Sequence, residues 1–215
     1  MAQSRIPQTS QTGPHRRLEE TVLRHLRHAW QSPVHDYSRR AFGELNRSLD
    51  SAWPVVLDSG CGTGVSTVAL AQKYPECLVV GIDKSAARLG KSPELPANAR
   101  LVRADLADLW RLMSEAGCKP AHHYLLYPNP WPKPAHLKRR WHGHPAFPSL
   151  LALGGRLELR SNFELYVDEF ARALALAGVV DVKVVSFRVD DPISPFERKY
   201  LLSGHRLFQL TATLE

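Results

Sequence analysis

Val55-Val56-Leu57-Asp58-Ser59-Gly60-Cys61-Gly62-Thr63-Gly64 reads as a strand, a tight turn and the start of a helix. A β-branched apolar run stops at an aspartate and gives way to alternate glycines. Glycines two apart leave no side chain between the backbone and a ligand, and they tolerate backbone angles that other residues resist. A dinucleotide pyrophosphate uses a related loop, G-x-G-x-x-G, at a helix N-terminus. Here the third glycine comes one residue early, and Asp58 stands before the turn, where it repels a pyrophosphate and suits a cationic amino acid moiety. The spacing therefore favours S-adenosylmethionine over NAD, with a ligand-free glycine turn as the plain alternative. Further on, Cys77-Leu78-Val79-Val80-Gly81-Ile82-Asp83 is a second strand ending in an acid. An acid at that tip is expected to accept hydrogen bonds from both hydroxyls of a ribose.

Around this core the strands and helices alternate. Val65 to Tyr74, Lys84 to Gly90, Leu106 to Ala116, Pro145 to Leu153 and Phe163 to Ala177 read as helices. They separate strands at 100–103, 123–126 and 156–159, and such alternation makes right-handed βαβ units in a doubly wound, mostly parallel α/β sheet. Val182 to Phe187 and Leu207 to Thr211 read as two closing strands without a helix between them, which permits an antiparallel last strand. Three regions are expected: a disordered tail over 1–14, a helical extension over 15–50, and the α/β domain over 51–215. In the extension, Leu18, Val22, Leu26 and Trp30 recur every four positions, so Arg16 to Trp30 is a basic amphipathic helix. It either packs on the domain or presents its arginines to a phosphate backbone.

With 215 residues, 44% of them hydrophobic, the chain can bury the core of one domain with appendages. A net charge of +7 points to an acidic partner such as nucleic acid. Three scattered cysteines, Cys61, Cys77 and Cys118, argue against a disulfide framework and against a metal site. No stretch has the length of a membrane span and no apolar signal core begins the chain, so the expectation is a cytoplasmic protein without membrane or metal partners. Monomer and homodimer both stay open.

Ligands of doubly wound sheets sit beyond the carboxyl ends of the strands, where strand order reverses. The loop after the fourth strand, Tyr127-Pro128-Asn129-Pro130-Trp131-Pro132-Lys133-Pro134, is therefore the catalytic candidate, its prolines holding the backbone extended. Between Glu115 and Glu158 there is no Asp or Glu, while Lys119, Lys133, Lys138, Arg139, Arg140 and Arg156 all lie there. That is an electrostatic footprint for phosphate, with aromatic residues able to stack on bases.

These residues resemble the bacterial tRNA (guanine-N7)-methyltransferases, whose fourth loop follows F-P-D-P-W-P-K and then H-x-K-R-R, a pattern closely matched by Tyr127 to Arg140. The likeness runs from about Val55 to the C-terminus and includes Arg103-Ala104-Asp105, Leu159 to Tyr166, and Ser194-Pro195-Phe196-Glu197-Arg198 before Gly204-His205. It implies a Rossmann-like class I methyltransferase that uses S-adenosylmethionine on tRNA. Asp58, Gly60, Gly62, Gly64, Asp83 and Asp105 are then the cofactor residues. Lys133, Lys138, Arg139, Arg140, Asn162, Ser194, Phe196 and Glu197 are then the substrate residues, and the position of Asn129 the catalytic one. Two departures stand out: the family has aspartates where this chain has Asn129 and Asn162. Both remove negative charge from the implied guanine pocket. Methylation of another base or of an exocyclic amine, and a weakly catalytic RNA-binding homologue, are the competing readings.

Overall fold

The strand order of the central sheet is the feature that places the site. The computed structural model describes residues 4–49 and 53–215. Its strands are β1 (Val55–Ser59), β2 (Leu78–Asp83), β3 (Ala99–Arg103), β4 (His122–Leu126), β5 (Gly155–Ser161), β6 (Val182–Phe187) and β7 (Leu207–Leu214), and they lie in the order β3-β2-β1-β4-β5-β7-β6. β1 to β5 are parallel, and β7 runs antiparallel between β5 and β6. The chain winds outward from β1 to β3, returns to the middle at β4 and winds the other way. The β1 and β4 loops thus border one crevice.

Adjacent residues on the central strands face opposite cores, which is why the strands read as unbroken apolar runs. Leu57, Val80 and Leu125 belong to one buried cluster, and their neighbours Val56, Val79 and Tyr124 to the other. The larger cluster is covered by α1 (Leu18–Arg27), α2 (Asp36–Leu49), α5 (Leu106–Glu115), α6 (Phe147–Ala152) and α7 (Glu164–Leu176). α3 (Val65–Lys73) and α8 (Pro195–Leu202) contribute to the smaller one. α1 packs on α6 and α7, burying Leu18 and Val22, so the basic amphipathic helix is docked on the domain.

Two expectations change. A helix, α8, does separate β6 from β7. Ser194 caps it by accepting from the Glu197 amide, with Pro195 in the first helical position. Residues 1–3 and the boundary at 50–52 lie outside the described residues, but residues 4–14 do not form a contact-free tail. Ser4 N–H donates to Ser203 Oγ at 3.0 Å, and the Thr9 hydroxyl donates to Pro132 O at 2.7 Å. This strap runs from the end of α8 across the loop after β4 to α7. Composition marked it as polar; its partners, more than a hundred residues away, were not visible in it.

The strap ends on a buried carboxylate. Glu169, on the inner face of α7, accepts from Gln11 Nε2 (3.0 Å), His15 N (2.7 Å), His142 Nε2 (3.0 Å) and the Arg140 guanidinium. Arg140 is itself fully buried. Its other N–H groups reach Gln11 Oε1 at 2.7 Å, Trp131 O at 3.1 Å, and Pro132 O and Lys133 O at 3.4 Å. Arg140, read from the basic run as a substrate residue, is thus buried with its guanidinium engaged by internal partners. It fastens the carbonyls of the candidate catalytic loop from behind. Burial alone would raise the Glu169 carboxyl, but His142 and Arg140 outweigh it and hold it at about 2. Burial disfavours a charge on His142, leaving Arg140 as the cation of the group.

Replacing Glu169 by glutamine strands a buried guanidinium, so Glu169→Gln should cost about 3–5 kcal/mol in urea unfolding. The carboxyl's folded pKa lies below its ordinary 4.5, so its contribution is complete above that pH and fades as pH falls toward about 2. The variant should therefore lose less stability than wild type over that acid window; parallel acid profiles would show that the carboxylate is not ionised in the fold.

Candidate active site

The glycine loop is shaped by backbone angles that side chains resist. Gly60, Gly62 and Gly64 have φ of 84°, 61° and 79°. A Cβ on Gly62 would meet nothing within 4 Å, so the loop opens on free space. Gly60 N and Cys61 N both donate to Ile82 O, at 2.8 and 3.0 Å, which ties this loop to the end of β2. Close packing behind it depends on Gly81, where a Cβ would stand 2.2 Å from Thr67 Oγ1.

Asp58 and Asp83 hold the loop from two sides. Asp58 Oδ2 accepts the hydroxyls of Ser66 (2.6 Å) and Thr67 (2.7 Å), fixing the first turn of α3, while Oδ1 is buried without a hydrogen-bond partner. Burial pushes this carboxyl up to about 6, against the two hydroxyl donors. Asp83 Oδ2 accepts from Gly62 N at 3.1 Å. Its Oδ1 takes Ser85 N at 2.7 Å and Arg88 Nη2 at 2.7 Å. The Arg88 side chain is half-exposed and belongs to the one-turn helix α4 (Ala86–Leu89). Asp105 caps α5, accepting from Ala107 N at 3.0 Å. Open glycines, an orphaned carboxylate oxygen and an acid at the β2 tip fit a ligand with a cationic end and a vicinal diol, as S-adenosylmethionine has.

Across the crevice, the loop after β4 is strained on both sides of Asn129. Tyr127 and Trp131 have φ of 51° and 43°, a region costly for aromatic residues and found where surroundings over-determine the backbone. The surroundings are plain. Tyr127 N donates to Arg160 O at 2.8 Å, and its hydroxyl donates to Glu197 Oε1, also at 2.8 Å. Arg160 bridges Glu197 (2.9 Å) and Glu158 (2.7 Å). The far side is the Arg140 clamp. Between them Asn129 stands exposed, its Oδ1 accepting from Trp131 N at 3.2 Å. The Arg139 guanidinium lies 4.7 Å from the Trp131 ring centroid, and Lys133 and Lys138 are exposed.

The remaining expected substrate residues divide. Phe196 is exposed at the start of α8. Ser194 is a buried cap, and Glu197 is a fully buried support whose Oε2 also accepts from Ile193 N at 2.9 Å. Asn162 is turned inward and bonded to His205 Nδ1 at 2.9 Å, while His205 Nε2 reaches Ser4 O at 2.9 Å. Ser194, Glu197 and Asn162 therefore support the site from beneath and offer little surface to a substrate. Glu169, Tyr127, Arg160 and Arg88 were missed. A charged residue on the apolar stripe Tyr166, Val167, Phe170, Ala173 of α7 was the available signal for Glu169.

Comparison with known proteins agrees with this geometry. The chain is 26% identical over 224 residues to the tRNA (guanine-N(7)-)-methyltransferase of Neisseria gonorrhoeae, covering 96% of this chain and 93% of that one. It is 28% identical to the protein of that name from Leifsonia xyli, covering 78% and 79%. Among solved structures, the 16S rRNA methyltransferase KamB superposes with a TM-score of 0.60 at 19% identity, over 86% of this chain and 95% of that one. An antibiotic-related methyltransferase gives 0.56 at 15% identity, over 86% and 97%; at these identities the likeness is one of fold. The family described as putative methyltransferase, Methyltransf_4, matches residues 52–199, from just before β1 into α8 and across both sides of the crevice. The chain belongs to that methyltransferase family.

Proposed function

We propose that this protein transfers the methyl group of S-adenosylmethionine to N7 of a guanine in tRNA. The observation that carries the reading is a rigid, strained loop presenting Asn129, with Lys133 beside it, at the β4 end of a crevice whose β1 and β2 ends carry the glycine loop and Asp83. Relatives named as tRNA (guanine-N(7)-)-methyltransferases support it over most of the chain's length.

When bound, the cofactor supplies a methyl group on a sulfonium sulfur. Guanine N7 has an in-plane lone pair and no proton, so the protein's task is positioning rather than proton abstraction. Asp83 is the acceptor for the ribose hydroxyls once Arg88 swings toward solvent, and the glycine loop and Asp58 take the amino acid end. Asn129 keeps Oδ1 on the Trp131 amide and stands exposed beside the crevice, where it can orient a base by hydrogen bonds but cannot neutralise the charge that develops on the ring. Phe196 offers a stacking face, while Lys133, Lys138 and Arg139 supply charge for the RNA backbone.

Asp83→Ala should weaken S-adenosylmethionine binding by roughly 1.5–3 kcal/mol, the worth of a charge-assisted acceptor. Unchanged affinity in calorimetry would confine Asp83 to holding Gly62 and Arg88. Asn129→Asp retains the Trp131 turn and sets a negative charge against the cation that develops on the ring. Turnover on tRNA should rise by about tenfold, with N7-methylguanosine the product of both proteins by mass spectrometry. Equal rates would show that residue 129 does not approach the base, and any other methylated nucleoside would replace the proposed target.

A further inference from the structure

A second concave surface lies beside the catalytic loop and outside the cofactor crevice. It is a cleft of about 800 Å³ between the strap, over Ser10 to Arg17, and the 3-10 helix Pro134–Arg139. Cationic side chains reach it from both walls: Arg16 and Arg17 from the strap, Lys138 from the 3-10 helix. Arg17 is paired with Glu20 at 2.9 Å. Arg16 and Lys138 are exposed and have no ion-pair partner within 4 Å among the described residues. Of the nearby carboxylates, Glu20 is engaged by Arg17 and Glu169 is neutralised behind the wall by Arg140. The His15 Nδ1 accepts from Arg17 N, and burial lowers the ring's pKa, so its free nitrogen is a neutral donor. The lining thus gathers positive charge and donors with no free acid.

Its place relative to Asn129 identifies the occupant. The 3-10 helix follows directly from the catalytic loop, and Arg140 and Arg139 at its far end reach back to Trp131. The strap wall is fastened to the same loop through Thr9 on Pro132 O and, by way of Gln11 Oε1, to the Arg140 guanidinium that holds the loop's carbonyls. We propose that the cleft holds a phosphodiester of the bound RNA, flanking the base presented at Asn129, with Arg16 and Lys138 as its cationic contacts. This rests on the reading of the protein as a tRNA methyltransferase and adds the strap to its RNA-binding surface.

The test measures tRNA binding by the full chain without cofactor, over a series of salt concentrations. Wild type is compared with the Arg16→Ala/Lys138→Ala double variant and with Arg47→Ala on the exposed side of α2. Loss of two phosphate contacts should weaken binding on the order of tenfold and make the log–log salt slope shallower by about 1.4 to 1.8, whereas Arg47→Ala should match wild type. A double variant with wild-type slope and affinity overturns the proposal, as does an equal loss in Arg47→Ala, which would mean diffuse attraction to net charge. Binding of inorganic phosphate that tRNA cannot displace would likewise overturn it, by assigning the cleft to a small anion. Because binding is read apart from methylation, failure to form N7-methylguanosine would count against the proposed reaction, and an unchanged salt slope against the cleft.

Discussion

Glu169 is the constraint on which the β4 side of the crevice depends. A carboxylate taken fully out of water is tolerated only when charge and hydrogen bonds compensate it, and here two distant segments supply them. Gln11 and His15 come from the strap, Arg140 and His142 from the segment after β4, and Glu169 from α7. Satisfying one buried ion therefore brings the strap, the loop after β4 and the helix after β5 together. Arg140 turns that demand to functional use, because the N–H groups not spent on Glu169 hold the carbonyls of Trp131, Pro132 and Lys133.

A second polar group, Tyr127, Glu197, Arg160 and Glu158, anchors the other end of the loop and joins it to the cap of α8. Between two such anchors the aromatic residues at positive φ are held in place, and Asn129 has little freedom. For a methyl transfer that needs alignment more than proton abstraction, rigidity of this kind is the main contribution a loop can make. The cofactor side is built differently. There the glycines provide room, and Asp83 joins the two strand ends while its Arg88 contact stays half-exposed and able to yield.

Much of this was legible in the chain because it is local. The alternation of strands and helices, the glycine spacing and the acid at the end of β2 are written in consecutive residues, and they led to the observed sheet. α8 was legible too, in the Ser194-Pro195-x-Glu197 signature of a capped helix start, although the two closing strands read as having no helix between them. The roles of Arg139 and Arg140 could not be separated from sequence, since both belong to one basic run. Only the fold sets Arg140 against Glu169, while Arg139 lies over Trp131. The strap was missed for the same reason. Its Gln, Ser and Thr residues look like an unstructured tail until their partners on the 3-10 segment, α7 and α8 are in place. Asn162 reads as a pocket residue in sequence, yet its amide is used internally by His205.

The central claim is that the methyl group goes to guanine N7, and N7-methylation leaves a chemical mark that other guanine methylations do not: the cationic ring can be reduced and the strand then cut at that nucleotide with aniline. Unmodified tRNA incubated with the full chain and radiolabelled S-adenosylmethionine, then treated with borohydride and aniline, should gain label and be cut at one guanosine. Label incorporated into tRNA that resists cleavage would contradict the account.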